Sequence, residues 1–189
     1  GTFNSNESYD AAYSSTSGVG NFIGGVANKV SNSNGSLVIG GGNQISNSNA
    51  SLVSFSEFVL GLPQTPKALQ DRFIEGLQEN AGGSILVLGS GNSVNYARYS
   101  QIFGIQNTIN GTEDDNSQYN AVSGTQNVLT NSSHVFLSGN TNEVSNTQQG
   151  ILIGDNRVFS NANGSVAIGF STGKKTASTD SRTRTTVAN

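Results

Sequence analysis

Ser36-Leu37-Val38-Ile39-Gly40-Gly41-Gly42-Asn43-Gln44-Ile45 is the stretch from which the architecture can be read. It holds a β-rich run, a glycine, two variable residues, an asparagine, one more residue and a β-branched one. From the glycine onward the pattern occurs also at Gly25-Val26-Ala27-Asn28-Lys29-Val30. It recurs at Gly89 with Asn92 and Val94, Gly104 with Asn107 and Ile109, Gly124 with Asn127 and Leu129, and Gly139 with Asn142 and Val144. Gly154 keeps the spacing with Arg157 in the asparagine slot and Phe159 after it, and Gly169 closes the series. Gly25 to Gly40 is 15 residues, as is Gly89 to Gly104, and three more steps of 15 lead from Gly124 to Gly169. A fixed period of this length is the mark of a repeat architecture.

Two gaps break the count. Phe55 stands where the next glycine is due, and from there to Gly89 is 34 residues, one period plus 19. From Gly104 to Gly124 is 20, one period plus 5. Both excesses read as insertions, at about 60–83 and 111–117. The first carries both prolines and most of the central charges, and the second holds Glu113, Asp114 and Asp115.

Fifteen residues are too few for a strand-helix unit, and no heptad is present. The runs before the glycines, such as Ile85-Leu86-Val87-Leu88, Ile151-Leu152-Ile153 and Ser165-Val166-Ala167-Ile168, favour strands. Two short strands and two turns per unit predict an all-β fold, a parallel β-roll solenoid with coils of about 15 residues. Stacked coils bury a continuous core and pair each other's backbone edges. Gly25, Gly40, Gly89, Gly104, Gly124, Gly139, Gly154 and Gly169 are the structural repeat positions, where glycine permits positive φ or close approach of neighbouring coils. The recurring asparagine is expected to stack into an amide ladder.

The strand before each glycine carries a second message. Two places before it stand Val38, Val87, Ile102, Val122, Leu137, Leu152 and Ala167, all apolar. One place before it, on the opposite face, stand Ile39, Leu88, Phe103, Ser123, Ser138, Ile153 and Ile168, again largely apolar. A half-exposed strand alternates, so burial of both faces is expected. One face fills the coil. The other needs a partner, and with no helices to cover it the expectation is another copy of the chain, a homo-oligomer. The strand after the asparagine, as in Asn142-Glu143-Val144-Ser145, alternates polar and apolar and is expected to be the outer wall.

Composition supports a folded but thin molecule. Asp, Glu, Lys and Arg make up 11% of the chain, and 25 Asn, 28 Ser and 24 Gly account for 77 of its 189 residues. Amides and small hydroxyls therefore solvate it. Leu, Ile, Val and Phe still reach 24%, above the roughly 20% below which chains stay disordered. The net charge of −3 offers no basic footprint, so nucleic acid is not an expected partner. No run approaches the ~18 apolar residues of a membrane-spanning helix. Absence of cysteine removes disulfides, thiolate nucleophiles and cysteine metal sites. Methionine is absent too and the chain opens Gly1-Thr2-Phe3, so a processed chain or an excised fragment is expected.

Asn163-Gly164-Ser165-Val166-Ala167-Ile168-Gly169 resembles the signature repeat in the YadA-like heads of trimeric autotransporter adhesins, and Ser36-Leu37-Val38-Ile39-Gly40 is a second good match. By period the resemblance covers roughly residues 19–175, with 1–18 as an N-terminal lead-in and 176–189 as the start of a neck or a disordered tail. It implies a homotrimer of left-handed parallel β-rolls, carried on a coiled-coil stalk and an outer-membrane β-barrel. On that resemblance the chain is a head, exposed on the surface of a Gram-negative bacterium and tied to the outer membrane only through a missing C-terminal anchor. The implied function is attachment, without catalysis or cofactor, to a host matrix protein, a host receptor or another bacterium. The alternative is an ice-binding or other non-adhesive structural solenoid. Ice binding calls for threonines ranked in one slot, whereas Thr108, Thr125, Thr130 and Thr141 fall in different ones.

The large insertion is the most individual feature. Thr65 suits a helix N-cap and Pro66 the first helical position. Leu69, Phe73 and Leu77 recur at four-residue spacing with Ile74 beside them, predicting a helix over 66–79 ended by Asn80 to Gly83. Lys67, Asp71, Arg72, Glu75 and Glu79 are the candidate ligand-binding residues on it; in the plainer reading the apolar stripe simply seats the helix on the roll. Glu113-Asp114-Asp115 lacks the alternation and glycine of a calcium loop and is expected to be solvated. His134 is the single histidine, without a cysteine or an acidic sequence neighbour, and suits a surface turn rather than a zinc site or a triad. No metal site is expected.

Overall fold

Each unit of the repeat folds as one coil of a roll, with its two apolar positions turned inward and its glycine and asparagine at the bend between two strands. The computed structural model describes residues 1–8, 18, 20–48, 65–68, 70, 71, 84–115 and 117–169. The strands before the bend form one parallel sheet of eight: β2 (Phe22–Val26), β4 (Leu37–Gly41), β6 (Leu86–Ser90), β9 (Gln101–Ile105), β12 (Ala121–Thr125), β14 (Ser133–Asn140), β16 (Gln148–Gly154) and β18 (Val166–Gly169). The strands after it form a second parallel sheet of eight: β1 (Ser5–Glu7), β3 (Lys29–Ser31), β5 (Gln44–Ser46), β7 (Ser93–Asn95), β10 (Thr108–Asn110), β13 (Val128–Thr130), β15 (Glu143–Ser145) and β17 (Val158–Ser160). A short third side carries β8 (Ala97–Arg98) paired with β11 (Ser117–Gln118).

The core is narrow and continuous. From β2 to β15 each coil sends one aliphatic side chain inward from each main sheet, as Val38 with Ile45, Val87 with Val94 and Ile102 with Ile109, all fully buried, while Phe159 takes that slot in β17 and Asn6 in β1. Ile85, Ala97 and Val135 close it from the third side. Full burial of one such side chain contributes about 1.5–3 kcal/mol, so every coil adds a similar increment and needs its neighbours to realise it.

The glycines form the expected column. Gly25 pairs with Gly40, Gly40 with Gly89, Gly89 with Gly104, Gly104 with Gly124, Gly124 with Gly139, and Gly154 with Gly169. Both reasons for glycine hold at once. Gly89 has φ 141°, and a Cβ built on it would run into the carbonyl oxygen of Gly104.

Three features depart from the expected coil. First, there are three left-handed corners per coil rather than two turns. One column runs through Ala27, Gln106, Gln126 and Thr141, a second through Asn32, Asn47, Asn131 and Asn146, and a third through Gly35, Tyr99, Tyr119 and His134, all with φ between 46° and 64°. This geometry costs most L-residues about 1–2 kcal/mol, and asparagine and glycine least, which accounts for their abundance.

Second, β4 pairs directly with β6, Val38 against Val87 and Gly40 against Gly89. The glycine slot expected at Phe55 is therefore not in the column, and Gly40 and Gly89, column neighbours 49 residues apart, are separated by one period and 34 further residues. The insertion is longer than the 60–83 reading. The smaller one falls as expected: Gly104 pairs with Gly124, and the extra residues loop out between β10 and β11, where Asp115 N donates to Thr112 Oγ1 at 3.0 Å.

Third, part of the 1–18 segment belongs to the roll. β1 pairs with β3, and Asn4 Nδ2 donates to the Gly25 carbonyl at 3.0 Å, the same bond that each repeat asparagine makes.

Candidate functional site

Inside the bend, the repeat asparagines build a hydrogen-bonded ladder that explains the Gly-x-x-Asn spacing. The backbone N–H and Nδ2 of Asn92 both donate to Asn43 Oδ1, at 3.0 and 2.9 Å, and Nδ2 also donates to the Gly104 carbonyl at 2.8 Å. The same three bonds are made by Asn107, Asn127 and Asn142, which are completely buried. Every buried amide group is thereby used, as burial of polar atoms requires. The ladder starts at Asn4, whose Oδ1 accepts from Asn28, and ends at Arg157. There the backbone N–H still donates to Asn142 Oδ1 at 3.0 Å, and the guanidinium Nε replaces the amide by donating to the Gly169 carbonyl at 3.4 Å.

A second ladder, of hydroxyls, lines the third side. Ser132 Oγ donates to the Thr130 carbonyl at 2.8 Å and accepts from Thr147 N at 3.0 Å, and Thr147 Oγ1 repeats both bonds one coil on. Sequence reading missed it. The signal was Ser33, Ser48, Ser117, Ser132 and Thr147 holding one slot in the count.

The outward face of the β2–β18 sheet is the molecule's most unusual surface. In β4, Val38 is fully buried, while Ile39 is 43% and Leu37 38% exposed. Ten of the thirteen large apolar side chains left exposed among the described residues lie on this face, including Phe22, Phe103, Phe136 and Ile151. β12 interrupts the apolar face with Ala121, Ser123 and Thr125. In the isolated chain, therefore, only one face of these strands is buried. On the second sheet the outward residues are chiefly polar, as in Gln44 and Ser46 of β5.

Of the five candidate residues on the insertion, two fall within the described structure. Residues 66–68 and 70–71 are helical, and Thr65 Oγ1 accepts from Ala68 N at 3.3 Å, the expected N-cap contact. Lys67 and Asp71 are exposed and pair with each other at 3.0 Å, an i,i+4 bridge worth about 0.3–0.5 kcal/mol. Arg72, Glu75 and Glu79, and the apolar stripe at Leu69, Phe73 and Leu77, lie outside the described residues. Glu113, Asp114 and Asp115 are exposed. Among the described residues no three His, Asp or Glu side chains gather where they would hold a metal ion.

His134 is exposed at a left-handed corner and belongs to a stack of rings. Tyr99 and Tyr119 lie 4.9 Å apart between centroids and 17° from parallel, and Tyr119 and His134 lie 4.8 Å and 27° apart. These spacings equal the coil rise, because residues 99, 119 and 134 share one column across three coils. Beside them runs the column Arg98, Gln118, Ser133 and Gln148. Arg98 is half-buried, and its enclosed Nε has no acceptor.

Comparison with protein-family models, with curated proteins and with solved structures yields no match. The functional reading rests on the chain's own surfaces.

Proposed function

We propose that this chain is the head of a trimeric bacterial surface adhesin of the YadA-like type, a left-handed roll that assembles with two further copies and attaches cells by multivalent contact. The observation that carries the reading is the sheet face running through Phe22, Leu37, Ile39, Phe103, Phe136 and Ile168, exposed in the single chain. An apolar face that continues on both sides of its interruption at β12 is the kind of surface that marks an interaction site. A parallel solenoid presents it in register coil by coil, so that copies related by a three-fold axis along the roll meet at matching coil levels. The resemblance of Asn163-Gly164-Ser165-Val166-Ala167-Ile168-Gly169 to the YadA-like signature repeat suggests the number three and the surface setting. Attachment through many weak contacts requires no pocket and no reactive group, and avidity from three linked copies multiplies each contact. The ligand is proposed to be a host matrix protein, a host receptor or another cell's surface, and the protein is proposed to act without catalysis on the outer membrane of a Gram-negative cell.

Sedimentation equilibrium over a concentration series tests the assembly, and the expected species is a trimer. A chain that stays monomeric at micromolar concentration sinks the reading. Replacing Ile39 and Phe136 together by Ser is expected to yield a folded monomer, since neither side chain contributes to the core. Particles coated with the trimer and counted on matrix-coated and cell-coated surfaces then test attachment.

A further inference from the structure

We infer that the short third side of the roll around Arg98 is a binding site for a carboxylated sugar, with the Tyr99–Tyr119–His134 stack as its platform. The inference names a ligand class for the adhesive surface and rests on that reading for its setting. Three observations lead to it. The first is charge. Lys29 pairs with Glu7 at 3.4 Å, Lys67 with Asp71 at 3.0 Å, and Arg157 donates to the Gly169 carbonyl, whereas no described carboxylate pairs with Arg98. A guanidinium that no described carboxylate neutralises can take an anion through its two Nη groups, the enclosed Nε being out of a ligand's reach. Its planar fork suits a carboxylate bidentately.

The second observation is the stack. Rings repeating at 4.8–4.9 Å along the roll have their normals along its axis, so they turn edges rather than faces outward. Tyr119 is 52% exposed. Over three coils the surface is thus a row of ring edges, two phenols and one imidazole, with the amides of Gln118 and Gln148 in the adjoining column. Stacking holds the rings still, so their polar edges are pre-positioned at little entropic cost on binding. Such a row suits a hydroxyl-rich ligand.

The third observation excludes the main competitor. Peptides dock on sheets by pairing with free backbone groups. Here Ser117 N donates to the Tyr96 carbonyl at 3.0 Å, Tyr119 N to the Arg98 carbonyl at 3.1 Å, and Gln118 N to Ser133 Oγ at 3.3 Å. The backbone groups at this place are already used by neighbouring coils, leaving side chains to do the binding. The carboxylates of Glu113, Asp114 and Asp115, on the loop that leads into β11, together with the net charge of −3, disfavour a dense polyanion. The ligand is a sparsely charged glycan bearing a hexuronate or a sialate.

Binding is read by calorimetry, and since the chain has no tryptophan and two of its five tyrosines are in the stack, the part of the tyrosine emission change that Tyr119→Ala removes reports on this site. The full chain is titrated with trigalacturonate and its neutral galactose counterpart, and with sialyllactose and lactose, the two pairs separating uronate from sialate. One carboxylated sugar is expected to bind while its neutral counterpart does not. Arg98→Gln is expected to weaken binding at least about tenfold, Tyr119→Ala to weaken it, and Arg98→Gln to leave the melting temperature equal or higher. Equal binding of the neutral sugar, unchanged binding by Arg98→Gln, tighter binding of heparin than of either carboxylated probe, or no binding of either probe up to about 10 mM overturns the assignment. A melting temperature lowered by Arg98→Gln also overturns it, since the residue is then structural. Coated particles separate this site from the adhesive reading. Attachment unchanged by Arg98→Gln removes the site and leaves adhesion standing, whereas sugar binding by a chain whose trimers attach to nothing removes adhesion and leaves the site.

Discussion

The two eight-stranded sheets share a period, a parallel register and a core, and differ in what they turn outward. β5 shows Gln44 and Ser46 to solvent, and β4 shows Leu37 and Ile39. Since both sheets contribute equally to the interior through residues such as Val38 and Ile45, closing the roll does not call for the outward aliphatics. The difference teaches that inward positions make the fold and outward ones on a single sheet make the contact, which a composition average over both sheets conceals.

Substitutions can break that division. The largest effect is expected at the bend. Gly89→Ala places a Cβ against the Gly104 carbonyl at φ 141° and is expected to cost more than about 4 kcal/mol. Gly41→Ala, where the nearest atom would be 3.6 Å away and φ is not left-handed, is expected to be neutral or slightly stabilising. Urea denaturation of the pair measures the difference, and equal midpoints would show that close approach of coils is not what selects glycine. Next comes the ladder. Asn107→Ala leaves the Asn127 N–H and one Nδ2 hydrogen without an acceptor, and the Gly124 carbonyl without its amide donor. The expected loss is about 2–4 kcal/mol, against about 0.5 or less for Gln44→Ala on the outer wall. The smallest effect is a gain: Arg157→Asn extends the ladder by one amide and is expected to add about 0.5–1.5 kcal/mol by the same denaturation measurement.

The period, the glycine column and the buried asparagines were legible because each rests on a residue type that its site admits almost alone. Arg157 was legible only as an exception, since a guanidinium doing an amide's work leaves no residue signature. The third corner was hidden because its column mixes Gly35, Tyr99, Tyr119, His134 and Gln149, which share a backbone conformation and no chemistry. For the same reason the ring stack was invisible. Tyr99 and Tyr119 are 20 residues apart, an interval that only the five-residue loop converts into neighbours. Phe55 misled through arithmetic, because one period counted from Gly40 falls inside an insertion. Gly1-Thr2-Phe3-Asn4 repeats Gly-x-x-Asn, but at 24 residues from Gly25 it obeys no multiple of 15.

Every departure from the period is flanked by described residues on one side of the roll. The excess residues fall in sequence between Ser8 and Gly18, between Ser48 and Ser84 and between Gly111 and Ser117, and the described residues that flank each excess stand on the short stretch that joins the second sheet back to the first, while glycine and asparagine remain three apart in each coil where both occur. The bend has no slack, since its amide must reach the carbonyl of the next coil. The joining side has ample slack, and the chain can lengthen there without altering a single pairing. The roll is therefore a chassis with a built-in docking rail for foreign sequence. Cargo peptides spliced after Asn161 should display at full register, and the same peptides spliced between Gly139 and Asn142 should not fold, a contrast that a protease-resistance screen would read out.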